Sequence, residues 1–155
     1  MNHNDKKIKL RKIVKNDWKY FKKWWRDVFL ISLTSGDFSD YSDEKLYEWF
    51  CNILQNKNSK NFIIENEKRI VIGHAGLEIK NYKAEYNIVI GNKTYIGKGY
   101  GSLVHTKILV KAFKNYGVDK VFLKVRPENI RAIKSYEKAG FKKVCKRKYK
   151  NSNSP

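Results

Sequence analysis

The sequence predicts one α/β domain, a central mixed β-sheet with helices on both faces. Three observations predict it. Apolar runs of strand length recur at residues 8–14, 62–64, 69–79, 85–90 and 121–125. Stretches with helical spacing stand before, between and after them. The 155 residues are 41% apolar, enough for one core, and show no internal repeat or linker. We therefore expect one domain over residues 1–150 and a frayed tail over 151–155.

Residues 8–14 read as the first strand, imperfectly alternating. Asn16 and Asp17 are suited to cap a helix carrying Trp18, Phe21, Trp24 and Trp25, of which Trp18, Phe21 and Trp25 share a face. Ser42 followed by Asp43 and Glu44 marks a second helix start, and Leu46, Trp49, Phe50, Ile53 and Leu54 form its apolar stripe. The runs at 62–64, 69–79 and 85–90 are separated by the turn signals Asn66-Glu67-Lys68 and Asn81-Tyr82-Lys83, which predicts an antiparallel meander. A helix over 99–116 buries Val104, Ile108, Leu109, Ala112, Phe113 and Tyr116 and ends at Gly117. Residues 121–125 are a strand stopped by Pro127, and 129–139 a helix closed by Gly140. Residues 141–149 contain a last strand. The strand–helix–strand segment over 85–125 should run parallel with a right-handed crossover.

The charge is +19, from 34 Lys and Arg against 15 Asp and Glu. An anionic partner such as nucleic acid or the ribosome explains it, and so does a Lys- and Asn-rich composition spread along the chain; we favour the second. Cys51 and Cys145 form no disulfide framework or CxxC pair, and His3, His74 and His105 lack metal-ligand spacing. No metal is expected. No apolar run spans a membrane and the N-terminus has no signal-peptide core, so the default expectation is cytoplasmic, as a monomer or homodimer.

Chemistry concentrates in two motifs. In Tyr95-Ile96-Gly97-Lys98-Gly99-Tyr100-Gly101-Ser102, three glycines open a helix. Unpaired N–H groups and the positive dipole end there suit a pyrophosphate, with Lys98 adding charge. A plain glycine-rich turn explains the loop alone equally well. It is neither a P-loop, since five residues separate Gly91 from Gly97, nor a dinucleotide fingerprint, which follows a first strand.

The second motif is Asn129-x-x-Ala132-x-x-x-Tyr136-Glu137-Lys138-x-Gly140-Phe141. With the segment from Ile88 to Gly101 before it, the pair resembles the acetyl-CoA-binding signatures of the GCN5-related N-acetyltransferases (GNAT), nearest the branch of ribosomal-protein, polyamine and aminoglycoside acetyltransferases. Ile96 departs from the Gln, Arg or Trp found there. The resemblance implies direct acetyl transfer from acetyl-CoA to a primary amine. The amine would be small and polyamine-like or aminoglycoside-like, or a protein N-terminus. Val89, Ile90 and Gly91 would meet the pantetheine arm and thioester, Gly97, Lys98, Gly99, Tyr100, Gly101 and Ser102 the pyrophosphate, and Asn129 a further part of the cofactor. Tyr136 would be the general acid that protonates the departing thiolate; the competing reading is a core tyrosine.

The base is open between Glu85, our first choice, Glu78, a water chain and His74. Asp37, Asp40, Asp43, Glu44 and Glu48, interleaved with aromatics, form either an acidic wall for a cationic acceptor or an ordinary solvated face. Two alternatives remain. One is a noncatalytic nucleic-acid or ribosome-binding module on the same fold, drawing on the basic end from Lys142 to Lys150. The other is an acyltransferase for a longer acyl-CoA.

Overall fold

The computed structural model describes residues 5–33 and 41–146. Their elements are β1 (Ile8–Lys12), α1 (Trp18–Trp24), α2 (Val28–Leu33), α3 (Asp43–Gln55), β2 (Ser59–Asn66), β3 (Val71–Lys80), β4 (Lys83–Ile90), α4 (Tyr100–Val110), β5 (Lys120–Phe122) and α5 (Ile130–Lys138). The sheet order is β1-β2-β3-β4-β5, antiparallel except for the parallel β4–β5 pair. The meander and the parallel crossover stand as the sequence predicts.

Alternation divides the sheet's side chains between two layers. On one face Ile64, Ile72, Tyr86, Ile88 and Ile90 pack with Tyr100, Val104 and Ile108 of α4 and with Tyr136 of α5. On the other, Ile63, Val71 and Val89 pack with Phe21 and Trp24 of α1 and Phe50 of α3. That second layer is aromatic: Phe21 lies 5.1 Å from Phe50 and 5.6 Å from Trp24, centroid to centroid. Trp24 is buried there while Trp18 and Trp25 are half-buried, so the helix sits rotated from the face that spacing alone gave.

Local signals acted with some changes of role. Ser42 caps α3, its hydroxyl accepting from the Lys45 N–H at 3.1 Å. Asp17 does not cap α1 forward. Its buried carboxylate accepts from the Val14 N–H at 2.8 Å and from both terminal nitrogens of Arg11 at 2.7 and 2.9 Å, fastening β1 to the helix entry. Burial alone would raise its pKa, but Arg11 and Val14 outweigh burial and hold it below the usual range. Helix α2 was not expected. Its signal is Asp27, whose carboxylate accepts from the Leu30 N–H at 3.1 Å ahead of an apolar run. The helix predicted over 99–116 is α-helical only to Val110 and closes in a π turn over 111–115, before Gly117 at φ +63°.

Two strand expectations are corrected: the strand expected over 121–125 pairs only to Phe122, where the β4 ladder ends, and the expected last strand does not form over its described residues. Residues 141–146 form no strand; Val144 there is 90% exposed among Lys142, Lys143 and Lys146, with no apolar face to bury. The rest of that predicted strand, the tail, and Asp37 and Asp40 lie outside the described residues.

Candidate active site

The site begins with a break in the sheet. β4 runs to Ile90, but its parallel ladder with β5 joins only Lys83–Lys120, Ala84–Val121 and Glu85–Phe122. Beyond Glu85, the β4 edge on the β5 side has no ladder partner among the described residues. Ile88, Val89 and Ile90 are half-buried there. An open strand edge offers its N–H and C=O groups to an extended ligand. Gly91 ends the strand under Trp24, and a Cβ on it would stand 2.2 Å from the indole Nε1. This contact requires glycine and ties α1 to the end of the open edge.

The glycine loop follows. Gly97 and Gly99 take φ of +74° and +91°, the left-handed region. The turn delivers the chain into α4 at Tyr100, where the first N–H groups lack intrahelical partners. Gly101 lies within the first turn of α4, and Ser102 is half-buried behind it. Lys98 is exposed, and its carbonyl accepts from the Lys6 ammonium at 2.5 Å. The Tyr100 side chain turns away from the loop: it is buried, and its hydroxyl donates to Glu67 at 2.7 Å. Only its backbone is available to an anion. Ile96 packs against the aromatic layer, so the residue that departs from the family pattern has an apolar contact to make.

The second motif closes on the first. Asn129 caps α5, its carbonyl oxygen accepting from the Ala132 N–H, while its amide donates to the Leu33 carbonyl, both at 3.4 Å. Arg131 was not singled out from the sequence. Its guanidinium carbon lies 3.5 Å from where a Gly97 Cβ would stand, which sets a permanent cation over the loop. The signal was present, two residues after Asn129 in the motif itself, but only the fold carries it back to Gly97. A phosphate-bearing cofactor fits this combination of left-handed glycines, free helix N–H groups and an overlying guanidinium.

Tyr136 packs beside the open edge, its ring 6.3 Å from Tyr86, 5.9 Å from Phe141 and 4.9 Å from His105. Burial pushes its phenol up to about 12, so the hydroxyl keeps its proton at neutral pH.

Glu85 is not beside Tyr136. It points to the opposite face of β4 from Tyr86, at the paired end of the strand. Four residues of extended chain, about 13 Å, separate it from Val89. It faces Glu78 directly across the β3–β4 pair and lies 3.7 Å from the Lys124 ammonium. Asn61, Gly76 and Asn87 form the next row of the same face, followed by Ile63, His74 and Val89. That face runs from carboxylates to amides to the aromatic layer. His74 is in this last row, buried, with its ring 4.7 Å from Phe21 and 5.6 Å from Trp24.

The described acids of the acidic–aromatic segment behave as ordinary surface groups. Asp43 is held by Arg26 at 3.0 Å and Lys22 at 3.5 Å, and Glu48 lies 3.9 Å from Lys45.

Residues 7–142 match the family model described as an acetyltransferase (GNAT) domain. The chain belongs to the GNAT acetyltransferase family. Among GNAT relatives, a spermidine N(1)-acetyltransferase of Vibrio cholerae is 28% identical over 103 residues, covering 64% of this chain and 59% of that protein. An uncharacterised protein of Methanocaldococcus jannaschii is 29% identical over 147 residues, covering 92% of this chain and 29% of that one. The match thus spans less than two thirds of the length of either curated relative. The crystal structure of a Vibrio cholerae spermidine N-acetyltransferase in complex with CoA and spermine shares the GNAT fold, with a TM-score of 0.78 at 24% identity over 86% of this chain and 79% of that one. A domain from Methanocaldococcus jannaschii aligns with a TM-score of 0.79 at 27% identity, covering 92% and 93%. Among the described residues, no helix is long and apolar enough to cross a membrane.

Proposed function

We propose that this chain transfers an acetyl group from acetyl-CoA to a primary amine that carries a second positive charge, of polyamine-like or aminoglycoside-like chemistry. The observation that carries the reading is the open β4 edge running into a left-handed glycine loop at a helix N-terminus. It supplies one continuous backbone track for the arm and pyrophosphate of CoA. Acetyl-CoA supplies the acetyl group as a thioester. In this reading the backbone of Val89, Ile90 and Gly91 aligns the arm and polarises the carbonyl. Gly97, Lys98, Gly99, Gly101, Ser102 and the Tyr100 N–H hold the phosphates together with Arg131. Asn129 serves the site by capping α5.

The neutral amine forms the new C–N bond as the C–S bond breaks. Tyr136 donates its phenolic proton to the departing sulfur and is reprotonated, through solvent, by the proton that the nitrogen sheds as it becomes an amide. An amine of pKa about 10.4 must first lose a proton. Glu85 is proposed to take it through water, since about 13 Å of strand lies between them. The Glu78–Glu85 pair has a second use. Like charges directly opposite in a sheet repel unless cations offset them; Lys124 lies 3.7 Å from Glu85, and an acceptor reacting at Val89 can add its far ammonium beside the pair. The names of the Vibrio cholerae relatives, which concern spermidine, support this acceptor class.

The test is release of free CoA with spermidine, an aminoglycoside and a peptide N-terminus as acceptors, beside calorimetric binding of CoA. Turnover of the polycationic amines is expected. Turnover of the peptide alone would overturn the acceptor class. Absence of CoA binding, with strongly salt-dependent RNA binding, would overturn the enzyme reading in favour of a noncatalytic module.

A further inference from the structure

α5 carries Tyr136, yet no residue of α5 is fully buried, and β5 before it ends at Phe122. The position of Tyr136 must therefore be fixed by side-chain contacts. One buried group reaches three elements at once. His105, in the middle of α4, is 2% exposed. Its Nδ1 lies 2.7 Å from the hydroxyl of Tyr86 on β4, and its Nε2 lies 2.9 Å from the hydroxyl of Ser135 on α5. Its ring packs 4.9 Å from that of Tyr136, the next residue after Ser135. A Cβ on Gly101, at the start of α4, would stand 3.9 Å from the His105 Nε2 and 4.0 Å from the Ser135 hydroxyl. The chain Tyr86–His105–Ser135 thus begins on the strand of the open edge and ends beneath the glycine loop.

We propose that His105 is a positioning residue: through Tyr86 and Ser135 it locks α5 to β4 and α4 and so sets where the Tyr136 hydroxyl stands. The proposal rests on the reading of Tyr136 as the acid. Its chemistry is suited to a strut. Burial holds the imidazole pKa near 4, so at neutral pH the ring carries one proton, donating at one nitrogen and accepting at the other. Tyr86 and Ser135 are hydroxyls, which donate or accept as required, so either tautomer satisfies both ends. Three links made by one rigid ring tolerate little error. Misplacing a reacting group by about 1 Å is enough to cost on the order of 100-fold in rate.

The test is a set of variants of the whole chain. His105→Phe keeps a ring against Tyr136 and removes both hydrogen bonds, and Ser135→Ala removes one from a half-buried site that tolerates the change. His105→Phe is expected to lower kcat about 30-fold and Ser135→Ala about 5-fold, with KM for acetyl-CoA changed less than about 3-fold. In a Tyr136→Phe background the Ser135→Ala loss should vanish, because there is no acid left to misplace. Amide hydrogen exchange over α5 should accelerate in both variants while β3 stays protected. The same factor lost with and without Tyr136 would overturn the proposal, as would a raised KM with kcat unchanged or unaltered exchange over α5. Full activity of Tyr136→Phe alone would instead remove the reading on which the proposal rests.

Discussion

Two buried histidines stand on opposite faces of one sheet, and they do different things. His105, on the α4 side, has both ring nitrogens within hydrogen-bond distance of hydroxyls. His74, on the α1 side, lies between Phe21 and Trp24 with its Nε2 meeting no partner among the described residues. Burial lowers both to a pKa of about 4. The shared shift therefore says nothing about role. What separates the two is the geometry of their neighbours. On the His105 face polar groups from three elements converge, and the ring joins them. On the His74 face the neighbours are aromatic, and the ring fills space at a desolvation cost. An imidazole whose protonation burial disfavours, held between two aromatic rings, is a weak general base.

The widest separation between the faces is expected in catalysis. Tyr136→Phe, on the His105 face, should lower kcat by about 100-fold or more with CoA affinity little changed, while His74→Leu leaves kcat within about 3-fold. Steady-state kinetics with calorimetric CoA titration reads both, and equal losses would erase the distinction.

Acid should expose what the two faces share. Both folded pKa values lie below the unfolded value of about 6.5, so between pH 6.5 and 4 the unfolded chain takes up protons that the folded one refuses. Stability is then complete above pH 6.5 and falls as pH drops towards 4, by on the order of 2–3 kcal/mol per histidine. Urea unfolding across that range should show the slope, and His74→Leu or His105→Phe should each flatten it. A pH-independent midpoint would mean that the histidines are not buried as described.

At neutral pH the same pair of substitutions should diverge. His105→Phe leaves the buried Tyr86 hydroxyl unpaired and is expected to cost about 2 kcal/mol of unfolding free energy. His74→Leu removes a polar atom that had no partner and should change stability by less than about 1 kcal/mol, in either direction. Equal destabilisation by the two would show that His74 holds a hydrogen bond in solution. A smaller loss than that of Tyr136→Phe is expected at Glu85→Gln. It should weaken the apparent affinity for a polycationic acceptor about 3- to 10-fold, as read from acceptor KM values, and should alter the pH–rate profile with a polyamine and a monoamine alike; an unchanged profile would pass the base role to water.

Much of the fold was legible locally. Ser42 is a cap in sequence and in structure, the meander turns lie where Asn66-Glu67-Lys68 and Asn81-Tyr82-Lys83 put them, and Asn129 opens α5. Failures arose where a tertiary partner competed with a local rule. Asp17 bonds Arg11 from the neighbouring strand instead of capping ahead. Trp24 displaces Trp25 from the core because Gly91 leaves room for its indole. Residues 141–146 alternate too weakly to bury a face, and no strand forms. Within the site, the glycine loop and Tyr136 could be read from their motifs. The overlying cation Arg131, the separation of Glu85 from Tyr136 and the histidine strut could not.

The sequence by itself determined the family, the order of strands and helices apart from α2 and the expected last strand, and the two motifs, because periodicity, caps and glycine conformations depend on residues a few places apart. Tertiary structure alone decided that β4 and β5 part after Glu85, that Arg131 lies over Gly97, and that His105 joins Tyr86 to Ser135 across separations of 19 and 30 residues. The physical reason is that strand twist, register and helix packing set which distant side chains meet, and a hydrogen bond exists only within a few tenths of an ångström of its proper length.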